Sequence, residues 1–547
     1  MAEPIGQQRR IAIVGSGFSG LCLGIQLKLA GIESFTILEK ADRIGGTWRD
    51  NTYPGAACDV PSIAYCFSFE QKADWSRNFS PHDEIRAYME HCATKYHLLR
   101  HVRFGTEVAS ARFDEQRALW VLRTSTGEEI EAEVLVSAVG QLNRPFEPAI
   151  PGLDVFRGTK FHSACWNHDW DPTDRRVAVV GNAASAIQFV PEIAPRVRHL
   201  AILQRSANWM IPRNGRAYSE AEKDRMRRHP ALTRAYRWLI WALLEMRWPM
   251  FLGNRFLEAG TRRMALRHIE DTVRDPALRA KLVPDYPIGG KRILISDDYY
   301  QALNRPNVEV VTGGIERFTE DAVVTSDGVT RPIDTAILAT GFESTSFLAP
   351  MEITGLDGRA LDGDWRGGAR AYRGITVAGF PNLFLLYGPN TNLGHNSIVF
   401  MIECQVAYVV QAIRTLIARD LAWLDLRPEA MEAYDRRLQR ELDRTVWART
   451  PKSWYKTDSG RITNNWSGST IRYWWTTRRF DVENYAVCER VKAVAAGGGA
   501  GVAEHAASEA SQVARSALEA PRHRWQHQRH RVDSNRAAPL PRRTFSG

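Results

Sequence analysis

The chain has 547 residues, 44 % of them hydrophobic and 24 % charged, a globular composition too long for one core, so two or three domains are expected. Its net charge of +10 divides into +5 over residues 491–547 and +5 over the rest; a mildly basic body suits anionic cofactors and is only weak evidence for nucleic acid, which is not expected as a partner. Seven scattered cysteines without a Cys-x-x-Cys pair argue against a disulfide scaffold, a zinc site and a disulfide reductase, and suit a cytoplasmic enzyme with reduced thiols; no metal is expected. No run of eighteen apolar residues predicts a membrane span, and no apolar signal core precedes the first strand.

In chain order, the apolar run 11–14 predicts a buried parallel strand. It feeds Gly15-Ser16-Gly17-Phe18-Ser19-Gly20, a helix over 21–30 and a second strand over 34–38 that ends at Glu39. Glycines at these places allow a tight turn and close approach to a pyrophosphate, and an acid at the end of the second strand accepts ribose hydroxyls. A Pro/Gly-rich stretch follows, from Gly45-Gly46-Thr47-Trp48 to Tyr53-Pro54-Gly55-Ala56-Ala57-Cys58-Asp59, with Tyr65 beyond it. Residues 82–100 predict an amphipathic helix with Ile85, Tyr88, Met89 and Cys92 on one face. Strands over 106–114, 119–124 and 129–136 predict an antiparallel meander, and 134–140 another buried strand.

Residues 156–167 read Phe-x-Gly-x-x-x-His-x-x-x-Trp-Asn. Beyond them the first pattern recurs: a strand over 177–180, Gly181-Asn182-Ala183-Ala184-Ser185-Ala186, a helix containing Gln188, and a strand over 199–204 ending at Arg205-Ser206. Gly15 to Glu39 and Gly181 to Arg205 are both 24 residues. One copy ends in an acid, which repels a ribose 2′-phosphate; the other ends in a guanidinium, which binds it through a forked pair of hydrogen bonds. The first site therefore predicts FAD and the second NADPH. Ala186 is an accepted variant of the third glycine, whereas Ala183 puts a methyl near the pyrophosphate.

Residues 214–282 predict helices rich in Arg, Leu and Trp. Three readings stay open: a helical insertion packed on the nucleotide domain, which is preferred, a lid over a substrate tunnel, and a basic amphipathic contact with a membrane surface. Tyr286-Pro287-Ile288-Gly289-Gly290-Lys291-Arg292 follows, then strands over 307–311, 333–342 and 382–389. A long helix is expected to open at Asn390, where His395 fits an N-terminal hydrogen bond better than a proton donor. Residues 453–485 are rich in Trp, Tyr and Asn. From Val491 the composition turns to Ala, Gly, Arg and His, which predicts disorder.

The stretch 156–167, the Gly46–Asp59 segment, the Lys291-Arg292 pair and the two glycine turns together resemble the type I Baeyer–Villiger monooxygenases, over roughly residues 9 to 487. The resemblance implies an α/β fold of two Rossmann-like domains, for FAD and NADPH, with a helical insertion. It divides the chain into a FAD domain (1–140 and 335–490), an NADPH domain (141–213 and 286–334), the insertion (214–285) and the tail (491–547). It implies NADPH-dependent insertion of one oxygen atom of O2 beside a ketone carbonyl through a C4a-peroxyflavin, giving an ester or lactone. Gly46, Thr47, Trp48, Ala57, Cys58, Asp59 and Tyr65 would then wrap the flavin, Val108 meet the adenine through its backbone, and Ile398 face the flavin ring. Arg205, Ser206 and Lys291 would hold the NADP phosphate. Arg292 would stabilise the anionic intermediates, oriented by Asp59, and aromatics of 453–485 would line the substrate cavity. His162 would link NADPH binding to flavin-site geometry.

Two other readings remain. An N- or S-oxygenating flavin monooxygenase would not need Arg292; Trp166 speaks for the Baeyer–Villiger side and Asn167 departs from its pattern. A non-catalytic nucleotide-binding redox flavoprotein has only the basic tail in its favour. The sequence carries no signal for substrate identity or oligomeric state.

Overall fold

The computed structural model describes residues 9–451 and 453–490; the disorder expected over 491–547 lies outside the described residues. β1 (Ile11–Val14), α1 (Phe18–Leu29) and β2 (Phe35–Leu38) form the first βαβ turn. Every residue of β1 is buried, as a strand covered on both faces requires, and Ile11 stands opposite Phe35 in a parallel pair. A Cβ on Gly20 would stand 2.0 Å from the Gly15 carbonyl oxygen, so only glycine lets α1 lie this close to the strand.

Next come α2 (Thr47–Asp50), α3 (His82–Lys95) and β3 (Val102–Arg103). α3 buries Ile85, Tyr88, Met89 and Cys92, but it stops at Lys95 instead of reaching Arg100. His97 takes a left-handed φ of 53°, which no right-handed helix continues through. β4 (Val108–Asp114), β5 (Leu119–Thr124) and β6 (Glu129–Ala132) make the antiparallel meander. The strand expected over 129–136 is two: β7 (Val134–Ser137) leaves the meander to pair in parallel with β1.

A second parallel sheet begins with β8 (Thr159–His162), β9 (Arg176–Val180), α4 (Ala186–Ile193) and β10 (His199–Leu203). β11 (Met210–Ile211) leads into five helices: α5 (Glu220–Arg228), α6 (Pro230–Glu245), α7 (Trp248–Phe251), α8 (Arg255–Thr272) and α9 (Pro276–Leu282). β12 (Leu294–Ile295) then pairs with β11, so the helices enter and leave at one point. α10 (Tyr299–Leu303), β13 (Val308–Val311), a three-stranded antiparallel excursion of β14 (Ile315–Phe318), β15 (Ala322–Thr325) and β16 (Thr330–Pro332), and β17 (Thr335–Leu338) complete this part. The sheet order is β13-β10-β9-β17-β8. β17 lies inside this sheet, with Leu338 opposite both His162 and Val180.

β18 (Glu352–Thr354) extends the meander beside β4. After α11 (Leu361–Asp364), β19 (Leu383–Leu385) completes the first sheet in the order β19-β7-β1-β2-β3. α12 (Ile398–Ala418), β20 (Leu421–Leu426), α13 (Pro428–Leu442), α14 (Thr470–Thr477) and β21 (Tyr485–Glu489) follow, with β20 and β21 antiparallel. α12 opens at Ile398 rather than at Asn390. Asn390 has a φ of 57°, and its side-chain amide donates to the Ile462 and Asn465 carbonyls at 2.9 and 3.1 Å, which holds 390–397 as a buried loop. By length and composition α12 is the one helix among the described residues apolar enough to cross a membrane, yet 56 % of its most apolar window is buried in the protein. The architecture is α/β, two parallel sheets with a helical insertion.

Candidate active site

The first glycine turn forms a backbone cradle. A Cβ on Gly17 would meet nothing nearer than the Gly46 Cα at 3.9 Å, and α1 has no side-chain cap on its first N–H groups. An uncapped helix start behind an open glycine turn fits a pyrophosphate. Glu39 ends β2 and is buried. One of its oxygens accepts from Ser16 N at 3.0 Å and Ser16 Oγ at 2.6 Å; the other accepts from Ala41 N at 3.0 Å and Arg49 Nη1 at 2.9 Å. Burial works against its charge, but these donors prevail and hold the carboxyl below the usual range. Trp48 donates to the Tyr65 hydroxyl at 3.2 Å, and Phe18 meets the Tyr65 ring edge-on at 5.2 Å. Ser19 lies in the first turn of α1, Val108 starts β4 and Ile398 starts α12.

The second turn is built alike, with Gly181 N donating to Leu203 O at 3.0 Å. Asn182 Nδ2 donates to Gln204 Oε1 at 2.8 Å and to the Ser206 carbonyl at 3.1 Å, tying the turn to the chain beyond β10. Ala183 and Ala184 are exposed, and Ser185 precedes the buried Ala186 at the start of α4. Arg205 is exposed; beside it Lys291 Nζ donates to Ser206 Oγ at 2.9 Å and lies 4.4 Å over the Tyr286 ring. Burial, then the like charge of Arg205, pushes the Lys291 ammonium down. Among the described residues neither cation pairs with a carboxylate. Two cations and a hydroxyl at the end of β10 suit a phosphate better than bare solvent.

Between the turns, Gln188 on α4 clasps the 53–59 loop. Its Oε1 accepts from Tyr53 Oη at 3.0 Å, and its Nε2 donates to the Ala57 carbonyl at 2.9 Å. This presents Asp59 to Arg292 in a forked pair, Nε to Oδ2 and Nη2 to Oδ1, both 2.7 Å. Asp59 raises the Arg292 pKa more than burial lowers it, so the guanidinium is held charged. The loop carrying Arg292 is wedged from below. A Cβ on Gly289 would come 3.3 Å from Phe251 of α7, one on Gly394 would come 2.8 Å from the same ring, and one on Gly290 would come 2.0 Å from Thr450 Oγ1.

Two tyrosines lie within electrostatic reach of this pair: Tyr387, which the sequence did not single out, and Tyr455, from the aromatic stretch 453–485. Burial pushes the Tyr455 hydroxyl up to about 12, with Arg292 opposing and Asp59 adding to the rise. Burial likewise raises Tyr387, again with Arg292 opposing. Tyr387 donates to Asn392 Oδ1 at 2.8 Å, whereas the buried Tyr455 hydroxyl has no hydrogen-bond partner among the described residues. Cys58, next to Asp59, is buried with its thiol pushed up by burial first and then by Asp59. Glu245 of the insertion was also missed. It accepts from Thr470 N and Oγ1 at 2.7 Å each, from Asn396 at 2.9 Å and from His395 Nε2 at 3.3 Å. Its signal was a lone acid closing an apolar helix.

Among the described residues no hydrogen bond or ion pair joins His162 to Arg292 or Asp59. His162 ends β8 with Nδ1 accepting from Ala164 N at 3.0 Å and Phe342 edge-on at 6.1 Å. Burial lowers its pKa, with Glu147 opposing. Phe156 packs on Phe318 at 5.7 Å, and Trp166 on Phe161 at 5.1 Å and Phe189 at 5.2 Å. Phe156 is thus core of the second sheet, and Phe161 and Trp166 pack half-buried against it. Thr52 Oγ1 and His168 Nε2, 2.7 Å apart, join this stretch to the 53–59 loop. Among the described residues no group of three or more His, Cys, Asp or Glu stands ready to hold a metal ion.

Residues 8–352 match the model of a family described as flavin-binding monooxygenase-like. The chain is 45 % identical over 478 residues to a Baeyer–Villiger monooxygenase of Pseudomonas aeruginosa, spanning 87 % of this chain and 91 % of that protein. It is 43 % identical over 487 residues to one of Streptomyces coelicolor, spanning 89 % and 94 %. Among solved structures it is similar to an oxidised steroid monooxygenase bound to NADP, with a TM-score of 0.79 at 32 % identity over 88 % of this chain and 100 % of that one. It is also similar to the NADP+-bound cyclohexanone monooxygenase of Rhodococcus sp. Phi1, with a TM-score of 0.79 at 26 % identity over 88 % and 99 %. The chain belongs to the flavin-binding monooxygenase-like family and, within it, to the Baeyer–Villiger monooxygenases.

Proposed function

We propose that this protein uses FAD, NADPH and O2 to convert a ketone into an ester or lactone, and that the Arg292–Asp59 pair is the centre of that chemistry. The pair itself carries the reading: a permanently charged, forked guanidinium held by a carboxylate where the two nucleotide-binding halves meet. The Gly17 turn and Glu39 take FAD; an adenosine ribose would displace one of the donors now on Glu39, and Arg49 is the one on a long side chain. Gly181–Ala186, Arg205, Ser206 and Lys291 take NADPH. The first sheet with residues 339–490 makes the FAD domain, residues 141–213 with 286–338 the NADPH domain, and 214–285 the insertion.

When bound, NADPH supplies hydride and reduced flavin supplies electrons to O2. The protein's own groups do the rest. Asp59 fixes the guanidinium plane, and Arg292 stabilises negative charge growing on oxygen during attack on the carbonyl carbon. Tyr387 and Tyr455 stay protonated near neutral pH and so act as neutral neighbours. Gln188 couples this loop to α4. The odd, scattered cysteines, all seven unpaired, support the reading of a cytoplasmic enzyme.

The test is Arg292→Ala in the FAD-loaded enzyme. Anaerobic reduction by NADPH should persist while ester formation from a ketone disappears. Ketone oxidation at wild-type rate would refute the assignment. Wild-type enzyme that only releases hydrogen peroxide, whatever ketone is added, and yet oxygenates a sulfide would move the chain to the heteroatom-oxidising branch.

A further inference from the structure

α6 is built inside out. The residues it buries are Thr233, Arg237, Leu244 and Glu245. Arg237 donates to the Ile63 carbonyl at 3.0 Å and the Cys66 carbonyl at 2.8 Å, and Glu245 takes its bonds from Thr470 and Asn396. These contacts fix the rotation of the helix. The opposite face is then Leu232, Leu239, Leu243 and Met246, whose spacing puts them in one stripe. Together with Trp238 they are between 50 and 69 % exposed. A surface helix ordinarily does the reverse, with polar residues facing water.

α14 continues the pattern from the same corner, because its first residue, Thr470, sits on Glu245. It exposes Ile471, Trp474 and Trp475. Arg478 lies 3.4 Å over the Trp475 ring. Among the described residues Arg234, Arg478 and Arg479 have no carboxylate partner. An apolar stripe edged by indoles and unneutralised guanidiniums matches the boundary between headgroups and acyl chains, and the unpaired positive charge selects anionic headgroups. A second copy of the chain fits less well, since a twofold contact would bring the same unpaired arginines together.

We propose that the outer faces of α6 and α14 form a peripheral docking surface for an anionic lipid bilayer. The proposal is independent of the reaction assigned above. It is tested by sedimenting the full-length, FAD-loaded protein with vesicles of phosphatidylcholine alone or with added phosphatidylglycerol. The anionic vesicles should carry down about tenfold more protein. Leu239→Glu with Met246→Glu should lower that by about tenfold, and Arg478→Gln with Arg479→Gln should remove the preference for phosphatidylglycerol. Should the glutamates impair folding, Leu243→Gln with Met246→Gln makes the same comparison. Binding equal in wild type and helix variants would assign it to residues outside α6 and α14 and overturn the proposal. So would no binding to either vesicle, or light scattering that shows a dimer which Leu239→Glu dissociates.

Discussion

Removing the carboxylate that orients Arg292 tests the site most directly. Asp59→Ala deletes two charge-assisted hydrogen bonds of 2.7 Å and leaves the guanidinium without its counter-ion. Losing one partner of a buried pair costs about 3–5 kcal/mol. Here 31 % of the Arg292 side chain and 30 % of the Asp59 side chain remain exposed, so screening reduces the figure to roughly 2–3 kcal/mol. If that energy holds the guanidinium in its reactive direction, ester formation should slow by roughly 30- to 150-fold, at tenfold per ~1.4 kcal/mol. The assay compares ester appearance with anaerobic flavin reduction by NADPH in the same preparation. Reduction should change little, because Lys291 and Arg205 keep their places, and uncoupled hydrogen peroxide should rise. Asp59→Asn, which keeps one acceptor, should fall between. A folded Asp59→Ala enzyme within about threefold of wild type in ester formation would show that the pair does not position the arginine.

Arg205→Ala should raise the KM for NADPH by about tenfold or more while NADH is little affected, since only the 2′-phosphate gains from the guanidinium; equal loss for both cofactors would place Arg205 in packing instead. His162→Ala should slow turnover more than it weakens FAD retention, and simple loss of FAD would mark a structural role. His162→Gln should also flatten the fall of melting temperature on acidification. The folded-state pKa lies below 6.5, so the unfolded chain binds protons first, and the stability present above pH 6.5 is lost as pH falls through the folded value. Gly290→Ala should disable the Arg292 loop, because the new methyl would stand 2.0 Å from Thr450 Oγ1. Combining it with Thr450→Ala should recover part of the activity; wild-type behaviour of Gly290→Ala alone would mean that the loop has room the geometry denies.

The insertion shows how position can outweigh composition. Phe251 of α7 packs against both Gly289 and Gly394, so one ring braces the arginine loop and the loop that precedes α12. Glu245 gathers His395, Asn396 and Thr470 from segments 150 to 225 residues away. A perturbation of these helices should therefore reach Arg292 without touching it, which distinguishes a bracing insertion from a free lid.

The two βαβ turns were determined by sequence alone, because turn geometry is local. Glycines at 15, 17 and 20, the matching 24-residue spacing to Glu39 and Arg205, and the apolar runs on either side leave a parallel strand, a sharp turn and a helix little alternative. The acid in one copy and the base in the other likewise set the expected cofactor order. Tertiary structure decided what depends on segments distant in the chain. The separation of 233 positions between Asp59 and Arg292 places no limit on how their side chains meet; the Gln188 clasp and the Phe251 wedge do. His97 and Asn390 ended or delayed helices whose periodicity ran on, because left-handed backbone at one residue overrides a favourable pattern. β17 went to the second sheet by its pairing with β8 and β9. The inverted face of α6 was hinted at only by the lone acid closing its apolar run; which side of the helix is buried is settled by Ile63, Cys66 and Thr470 standing ready to receive its charged residues.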